Sequence, residues 1–334
     1  MDKKKNTNSI LWVVGFGLGI FIILSACSMD LIGQTTAPGI LRLSDVKTTT
    51  TLTPFMPVPA TETVIPTPAP IQLTGAGDIS ICGQNTDDQT AALLQKFGGY
   101  VFTLGDNQND NARVEDFLHC FSQSWGQNFT RLLPTIGNHE YFTTGKPEGY
   151  FTYFGDRAGV PGKGYYSKNL GSWHIISLNS ICDLSGTCDP DSEMIHWLEN
   201  DLQQNEKKCT LAMWHIPRWS TGWHGNNGSV DILWRMMADA GVELVLNGHD
   251  HDYERFAPMN ADGQIDMLNG TREFVVGTGG ASLREQYTES AASQVFNNST
   301  FGVLHLELEN DTYTWQFVPV NEGGFTDAGS GQCH

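Results

Sequence analysis

Tyr100-Val101-Phe102-Thr103-Leu104-Gly105-Asp106 is an apolar, strand-like run that stops at a glycine and a carboxylate. The same pattern occurs upstream, where Ile71-Gln72-Leu73-Thr74 alternates like a strand and leads through Gly75-Ala76 into Gly77-Asp78. It returns three times downstream: Leu132 to Ile136 runs into Gly137-Asn138-His139-Glu140, Thr210 to Trp214 into His215, and Val242 to Leu246 into Gly248-His249-Asp250-His251. In open α/β sheets the C-terminal ends of the strands share a rim where ligands collect. A glycine beside each polar residue lets the backbone turn sharply and aim the side chain at a common point.

Helical patterns at Gln89 to Phe97, Val114 to Phe121, Ser192 to Gln204 and Val230 to Ala240 alternate with these strands and with Trp173 to Leu178. Such alternation predicts an α/β domain with a buried sheet. The C-terminal strands Glu273 to Gly277, Phe301 to Leu308 and Thr312 to Val318 have no helix between them, so a second, more antiparallel sheet is expected within the same domain.

The polar residues at the strand ends form a metal-binding set. Asp78 and Asp106 supply anionic oxygens, Asn138 a neutral oxygen, and His215, His249 and His251 imidazoles. Mixed oxygen and nitrogen donors suit Zn, Mn or Fe better than Ca. Two adjacent ions need a shared ligand, and Asp106 is the natural bridge because a carboxylate can give one oxygen to each. Singly, an aspartate before a loop is usually a turn former and a histidine usually a satisfied core or surface residue. Their joint occurrence in five strand-end positions reverses those odds.

The 334 residues are 40% hydrophobic and 17% charged, enough for one catalytic domain with a sizeable core. Lys3, Lys4 and Lys5 precede an apolar stretch from Ile10 to Leu24 that closes in Leu24-Ser25-Ala26-Cys27. This looks like a bacterial lipoprotein signal peptide, with cleavage before Cys27 and lipid on its sulfur. The alternative is an uncleaved signal anchor, and either places the rest of the chain outside the cytoplasm as a cell-membrane protein. Residues 27–70 are rich in Thr and Pro and read as a disordered tether, leaving 71–334 as the catalytic domain. Losing three lysines and one aspartate with residues 1–26 takes the formal charge from −18 to −20. So acidic a chain is not a general nucleic-acid binder, which needs a basic footprint, whereas small phosphate esters remain open to it. Apart from Cys27 there are six cysteines, an even number that favours disulfides in an exported protein. Cys182 and Cys188 are the best local pair, with Cys209 as an alternative partner for either.

Gly77-Asp78, Gly105-Asp106, Gly137-Asn138-His139-Glu140, His215 and Gly248-His249-Asp250-His251-Asp252-Tyr253-Glu254-Arg255 together resemble the calcineurin-like metallophosphoesterases, and the last stretch most resembles the purple acid phosphatase branch. The resemblance covers roughly residues 71–320. It implies a four-layer αββα sandwich of the α/β class with two mixed β-sheets and a dinuclear site at their rim. It also implies hydrolysis of phosphate esters by hydroxide bound to two metal ions. Position by position, Asp78, Asp106 and His251 fall on one metal, and Asp106, Asn138, His215 and His249 on the other. His139 takes the position that protonates or stabilises the leaving group.

Two departures stand out: Ser80 where many relatives have histidine, and Asn109 where purple acid phosphatases have a metal-bound tyrosine. The first metal is thus one protein ligand short, with Asn109, Ser80 or water to fill the gap, and no tyrosinate colour is expected. Arg218 and His224, in the loop after His215, are expected to reach the substrate. Asp250, Asp252 and Glu254 are expected either to orient imidazoles or to form an ordinary turn. The expected partner is a small phosphate ester cleaved by a phosphomonoesterase. A phosphodiesterase on the same site and a non-catalytic binding protein are the alternatives.

Overall fold

The structure is a computed structural model that describes residues 69–334. The export segment 1–26, Cys27 and the Thr/Pro-rich stretch as far as Pro68 lie outside the described residues. Thirteen strands are present among the described residues: β1 (Ile71–Ala76), β2 (Tyr100–Thr103), β3 (Leu132–Leu133), β4 (Tyr166–Leu170), β5 (Trp173–Ser177), β6 (Cys209–Met213), β7 (Leu244–Asn247), β8 (Tyr253–Phe256), β9 (Arg272–Val276), β10 (Ser293–Asn297), β11 (Gly302–Leu308), β12 (Thr312–Pro319) and β13 (Ala328–Gln332). They form a six-stranded sheet, β13-β12-β11-β1-β2-β3, and a seven-stranded sheet, β10-β8-β9-β7-β6-β5-β4. Both are mixed: β1, β2 and β3 run parallel in the first, and β5, β6, β7 and β9 in the second.

The helices are α1 (Thr86–Leu94), α2 (Val114–His119), α3 (Glu148–Phe154), α4 (Cys182–Ser185), α5 (Glu193–Gln204) and α6 (Asp231–Asp239). Packing follows the period-two alternation of the strands. Ile175, Leu211, Met213, Leu244 and Leu246 join Leu73, Phe102, Leu304 and Leu306 of the other sheet in one buried cluster. Their neighbours Ile176, Ala212 and Val245 point the other way, onto Met194, Ile195 and Leu198 of α5 and Leu233, Trp234 and Met237 of α6. Each such aliphatic side chain contributes about 1.5–3 kcal/mol by leaving water. Helix α5 starts where Ser192 accepts from the Ile195 N–H at 3.3 Å, a polar cap on an otherwise apolar inner face. No helix among the described residues is long and apolar enough to cross a membrane.

The αββα architecture is as expected, but one expectation is corrected. The C-terminal strands do not build a sheet of their own. Strand β9 joins β7 in parallel, whereas β11 returns to pair antiparallel with β1, Leu73 facing Leu306. The apolar run β1 needs a partner on each edge, and β2 supplies only one.

All six cysteines of the described residues are paired: Cys82–Cys120, Cys182–Cys188 and Cys209–Cys333. Cys182 therefore takes Cys188, and Cys209 takes neither of them. The Cys209–Cys333 bridge closes a sequence separation of 124, against 6 for Cys182–Cys188. Replacing Cys209 and Cys333 together by serine is expected to lower unfolding free energy by about 2–4 kcal/mol, more than the same change at Cys182 and Cys188, in denaturant titrations of the oxidised proteins.

Glu243 is buried beside this bridge, accepting from the Thr210 N–H at 2.6 Å. Burial pushes its carboxyl up to about 7 despite that hydrogen bond. A raised folded pKa means that the folded chain holds the proton more tightly than the unfolded chain. This contribution to stability is full below about pH 4.5 and is lost as pH rises through about 7. Glu243→Gln is expected to raise the melting temperature relative to wild type at pH 8 but not at pH 4, a difference on the order of 2 kcal/mol. Superimposable melting-temperature profiles would show that the carboxyl titrates normally.

Candidate metal centre

Strands β1, β2 and β3 of one sheet and β6 and β7 of the other deliver their C-terminal ends to the same place. Asp78, Asp106, Asn138, His215, His249 and His251 all lie in the segments that follow those ends. Three of them hold left-handed backbone: Asp78 at φ 57°, Asp106 at φ 46° and His249 at φ 71°. Each such non-glycine residue costs on the order of 1–3 kcal/mol, a strain that persists where the surroundings over-determine it.

Of the adjoining glycines, Gly105 turns at φ 84° as expected, whereas Gly137 and Gly248 contribute something other than flexibility. A Cβ on Gly137 would lie 2.2 Å from the Asp106 nitrogen and 2.3 Å from its Oδ1, and one on Gly248 would lie 2.7 Å from Asp78 Oδ2. Neither glycine has positive φ. They provide room for the carboxylates, while the tight turns are made by Gly105 and by the carboxylate residues themselves.

The side chains converge. Oxygens of Asp78 and Asp106 and a ring nitrogen of His215 lie within 4.8 Å of one another. His215 Nδ1–H donates to the Leu104 carbonyl at 2.7 Å, which turns Nε2 toward Asn138 Oδ1 at 2.9 Å and Asp106 Oδ1 at 3.4 Å. His251 Nδ1–H donates to the Ser282 carbonyl at 2.8 Å and presents Nε2 to Asp78 Oδ1 at 3.3 Å. Carbonyl groups thus set which nitrogen of each ring faces inward, as metal-ligating histidines require. The His249 ring lies 5.0 Å from that of His215, and the backbone N–H of His249 donates to Asp78 Oδ2 at 2.8 Å.

Charge is crowded here. Burial alone would raise Asp106, but the adjacent His215 imidazole holds its carboxyl well below the usual carboxylate range. Burial would lower His215, yet Asp106 carries it up to about 9. His251 is raised in the same way, Asp78 overcoming burial, whereas burial and the His215 charge drive His249 well down. Carboxylates and imidazoles this close in the interior need positive charge among them. A proton between Asp106 and His215 supplies some of it, and divalent ions would supply more. Asp78 Oδ1, buried with no aligned hydrogen-bond donor among the described residues, is a lone pair directed at such an ion. The mixed oxygen and nitrogen donors therefore fit a metal pair of the Zn, Mn or Fe kind.

Glu140 organises the turns and is a residue that the strand-end pattern alone assigns no task. It accepts from the N–H groups of Gly137 at 2.6 Å, Asn107 at 2.8 Å and Asp106 at 3.1 Å, so one carboxylate ties the end of β2 to the end of β3. Burial, then the Asp106 charge, pushes its carboxyl up to about 7. The Asp110 and Ser282 carbonyls, which hold His139 and His251, also carry no sequence signal, because any residue type offers a carbonyl.

His139 borders the centre, its N–H donating to Asp106 Oδ1 at 2.8 Å and its Nε2 lying 3.7 Å from Oδ2. Asn109 Nδ2 donates to Asp106 Oδ2 at 3.2 Å, whereas Ser80 contacts the Asn109 turn through its backbone. Of Asn109 and Ser80, Asn109 is therefore the one whose side chain reaches the Asp106 carboxylate. His224 stacks on His249 with ring centroids 4.2 Å apart, which places it beside the centre. Arg218 does not join it: Nε pairs with Asp231 Oδ1 at 2.7 Å, and the guanidinium lies over the Trp219 ring at 3.9 Å. A carboxylate and an aromatic face hold this guanidinium.

Among Asp250, Asp252 and Glu254, only Asp250 orients an imidazole, and it is that of His224 rather than a ligand histidine. Glu254 fixes Thr221, and Asp252 has no hydrogen-bond partner for either carboxylate oxygen.

With this geometry in view, the family described as calcineurin-like phosphoesterase matches residues 72–253, more than half of the chain. A curated relative described as probable purple acid phosphatase 20 from Arabidopsis thaliana is 32% identical over 165 residues, 46% of this chain and 37% of the relative. Acid phosphatase type 7 from Danio rerio is 24% identical over 277 residues, 69% of this chain and 61% of the relative. The chain thus spans less than two thirds of either relative. Among solved structures, a purple acid phosphatase, PPD1, from yellow lupin seeds superimposes with a TM-score of 0.62 at 19% identity, covering 79% of this chain and 55% of that one. This last likeness establishes the fold.

Glutamine at 140 would keep one acceptor oxygen and turn an amide NH2 toward backbone N–H groups. At pH 8, Glu140→Gln is expected to weaken metal affinity about 10–100-fold and stability by about 2–3 kcal/mol. Metal content after dialysis against graded chelator and a urea titration measure the two effects.

Proposed function

Because this chain belongs to the calcineurin-like phosphoesterase family, we propose that it is a phosphatase acting on small phosphate monoesters outside the cytoplasm, tethered through lipid on Cys27. The observation that carries the reading is the Asp106 carboxylate. It lies within reach of both Asp78 and His215, takes an N–H from His139, and is bordered by the His139 ring. Asp78, Asp106 and His251 would hold one metal ion, with Asn109 beside it, and Asp106, Asn138, His215 and His249 the other. When bound, such a pair polarises the phosphoryl oxygens and makes coordinated water acidic enough to act as the nucleophile near neutral pH.

The chain's own groups divide the remaining work. His139 Nδ1–H is committed to the Asp110 carbonyl at 2.9 Å, so Nε2 is the nitrogen free to face the reacting ester. Protonated there, it passes a proton to the leaving-group oxygen, with Asp106 alongside to stabilise the charged ring. The three disulfides support an oxidising compartment, in keeping with the Leu24-Ser25-Ala26-Cys27 signal. The net charge, −18 for the full sequence, disfavours long polyanions and leaves small phosphate esters open as substrates.

His139→Ala is expected to lower turnover of a chromogenic aryl monoester by about 10²-fold or more while leaving metal stoichiometry unchanged. Unaltered turnover would remove His139 from the chemistry. A wild-type preference for the corresponding diester would make the protein a phosphodiesterase, and metal-replete protein that binds phosphate but cleaves neither ester would make it a binding protein.

A further inference from the structure

Arg284 lies in the loop after β9, and its partners set it apart from the other arginines of the described residues. Arg113, Arg218, Arg235 and Arg255 pair with carboxylates. Arg131, Arg157 and Arg272 donate to backbone carbonyls. The Arg284 guanidinium does neither. It is partly exposed and makes a single hydrogen bond, from Nη1 to His224 Nε2 at 3.0 Å.

That bond fixes a tautomer. His224 Nδ1 faces Asp250 Oδ1 at 2.9 Å and must carry the proton, which leaves Nε2 as the acceptor for Arg284. In this arrangement His224 has no N–H to offer a phosphate, and the outward donors are the remaining N–H groups of Arg284. The backbone holds the residue in place as well, for Arg284 N donates to the His251 carbonyl at 3.0 Å. The guanidinium charge acts on the His251 ring, where it opposes the larger influence of Asp78. An arginine without an anionic partner therefore borders a ligand histidine and is propped on a ring that stacks against another.

The wall continues through a hydrogen-bonded seam between two loops. Tyr287 N and Thr288 N donate to the Thr221 carbonyl at 2.8 and 3.1 Å, and Gln286 Nε2 to Thr221 Oγ1 at 3.1 Å. Thr221 is anchored in turn by Glu254. On the outer side of this seam Trp223 and Tyr287 are 56% and 73% exposed, with ring centroids 6.4 Å apart.

We propose that Arg284 grips the phosphoryl oxygens of the bound ester, and that the neighbouring Trp223–Tyr287 pair seats a flat, aromatic leaving group. The proposal rests on the phosphatase reading above and specifies its substrate class. A guanidinium with one donor engaged and the rest free suits two phosphate oxygens at once, which an ammonium does not. The rings offer a π-face to an aryl or heteroaryl group.

Binding of inorganic phosphate to metal-replete protein, followed by calorimetry, tests the first part without requiring turnover. Arg284→Ala is expected to weaken phosphate binding at least tenfold at unchanged metal content, with Arg284→Lys in between, and to raise KM more than it lowers kcat. Trp223→Ala and Tyr287→Ala are each expected to raise the KM of an aryl phosphate at least fivefold more than that of an aliphatic phosphate of equal charge. An Arg284→Ala protein that binds phosphate like wild type overturns the role of Arg284, whatever the turnover. Equal KM changes for the two esters overturn the aromatic seat. Wild-type protein that binds phosphate but hydrolyses no ester overturns the phosphatase reading instead, and the phosphate titration still decides on Arg284. Wild-type protein that does not bind phosphate overturns both.

Discussion

The structure depends on holding the Asp106 carboxylate, buried and ionised, beside other carboxylates. Asp78 and Glu140 share its neighbourhood, and all three are nearly inaccessible to water. A charge in that position is tolerable only where donors and cations surround it. The His139 N–H, the Asn109 amide and the His215 ring provide this around Asp106, while Glu140 holds its backbone. The sheets exist, in functional terms, to bring those donors together from strands distant in sequence. Thus β2 supplies Asp106, the segment after β3 supplies Asn138, His139 and Glu140, and β6 supplies His215 from the other sheet.

Strain and room are distributed to the same end. The left-handed backbone falls on the candidate ligands Asp78, Asp106 and His249, and the space the two carboxylates fill is left by Gly137 and Gly248, which have no Cβ. Either feature alone would be a liability. A strained aspartate relaxes unless its carboxylate is fixed, and a side-chain-free turn collapses unless something occupies it. Together they lock, since the carboxylates fill the glycine notches and the resulting hydrogen bonds keep the aspartates in their unfavourable conformation.

Most of the centre was legible in the sequence because each ligand had to follow an apolar run of strand length, and both features leave a mark. The six candidate ligands and His139 gather as that pattern implies, with His224 beside them. The sheet order was less legible. Residues 301–318 read as neighbouring strands, and so they are, but nothing local shows that Leu306 pairs with Leu73, because a pairing across that separation is decided by the whole core. Strand β13 was invisible for another reason. Ala328-Gly329-Ser330-Gly331-Gln332 has no apolar alternation, and it pairs with β12 because Gly329 and Gly331 leave space for the Trp315 and Tyr313 rings. Arg218 misled because a basic residue next to a ligand loop resembles a phosphate binder, and only the position of Asp231 on α6 shows that it is already paired.

The contrast between Arg218 and Arg284 shows why the rim of such a site resists reading from sequence while its centre does not. Metal ligands are constrained by coordination chemistry to a few residue types at strand ends, so their identity and placement are correlated. A substrate-facing cation has only to carry charge and remain without an anionic partner, and that second condition concerns every carboxylate in the fold. In a chain of net charge −18 the condition is demanding. Arg113, Arg218, Arg235 and Arg255 all find an acidic partner. Arg284 does not, because Asp250, the acid of this rim, is already occupied by the His224 N–H and Nδ1–H and by the Ser220 hydroxyl. His224 thus stands between a carboxylate and a guanidinium that would otherwise pair. By holding them apart it keeps a positive charge at the mouth of the centre, where a phosphate would have to enter.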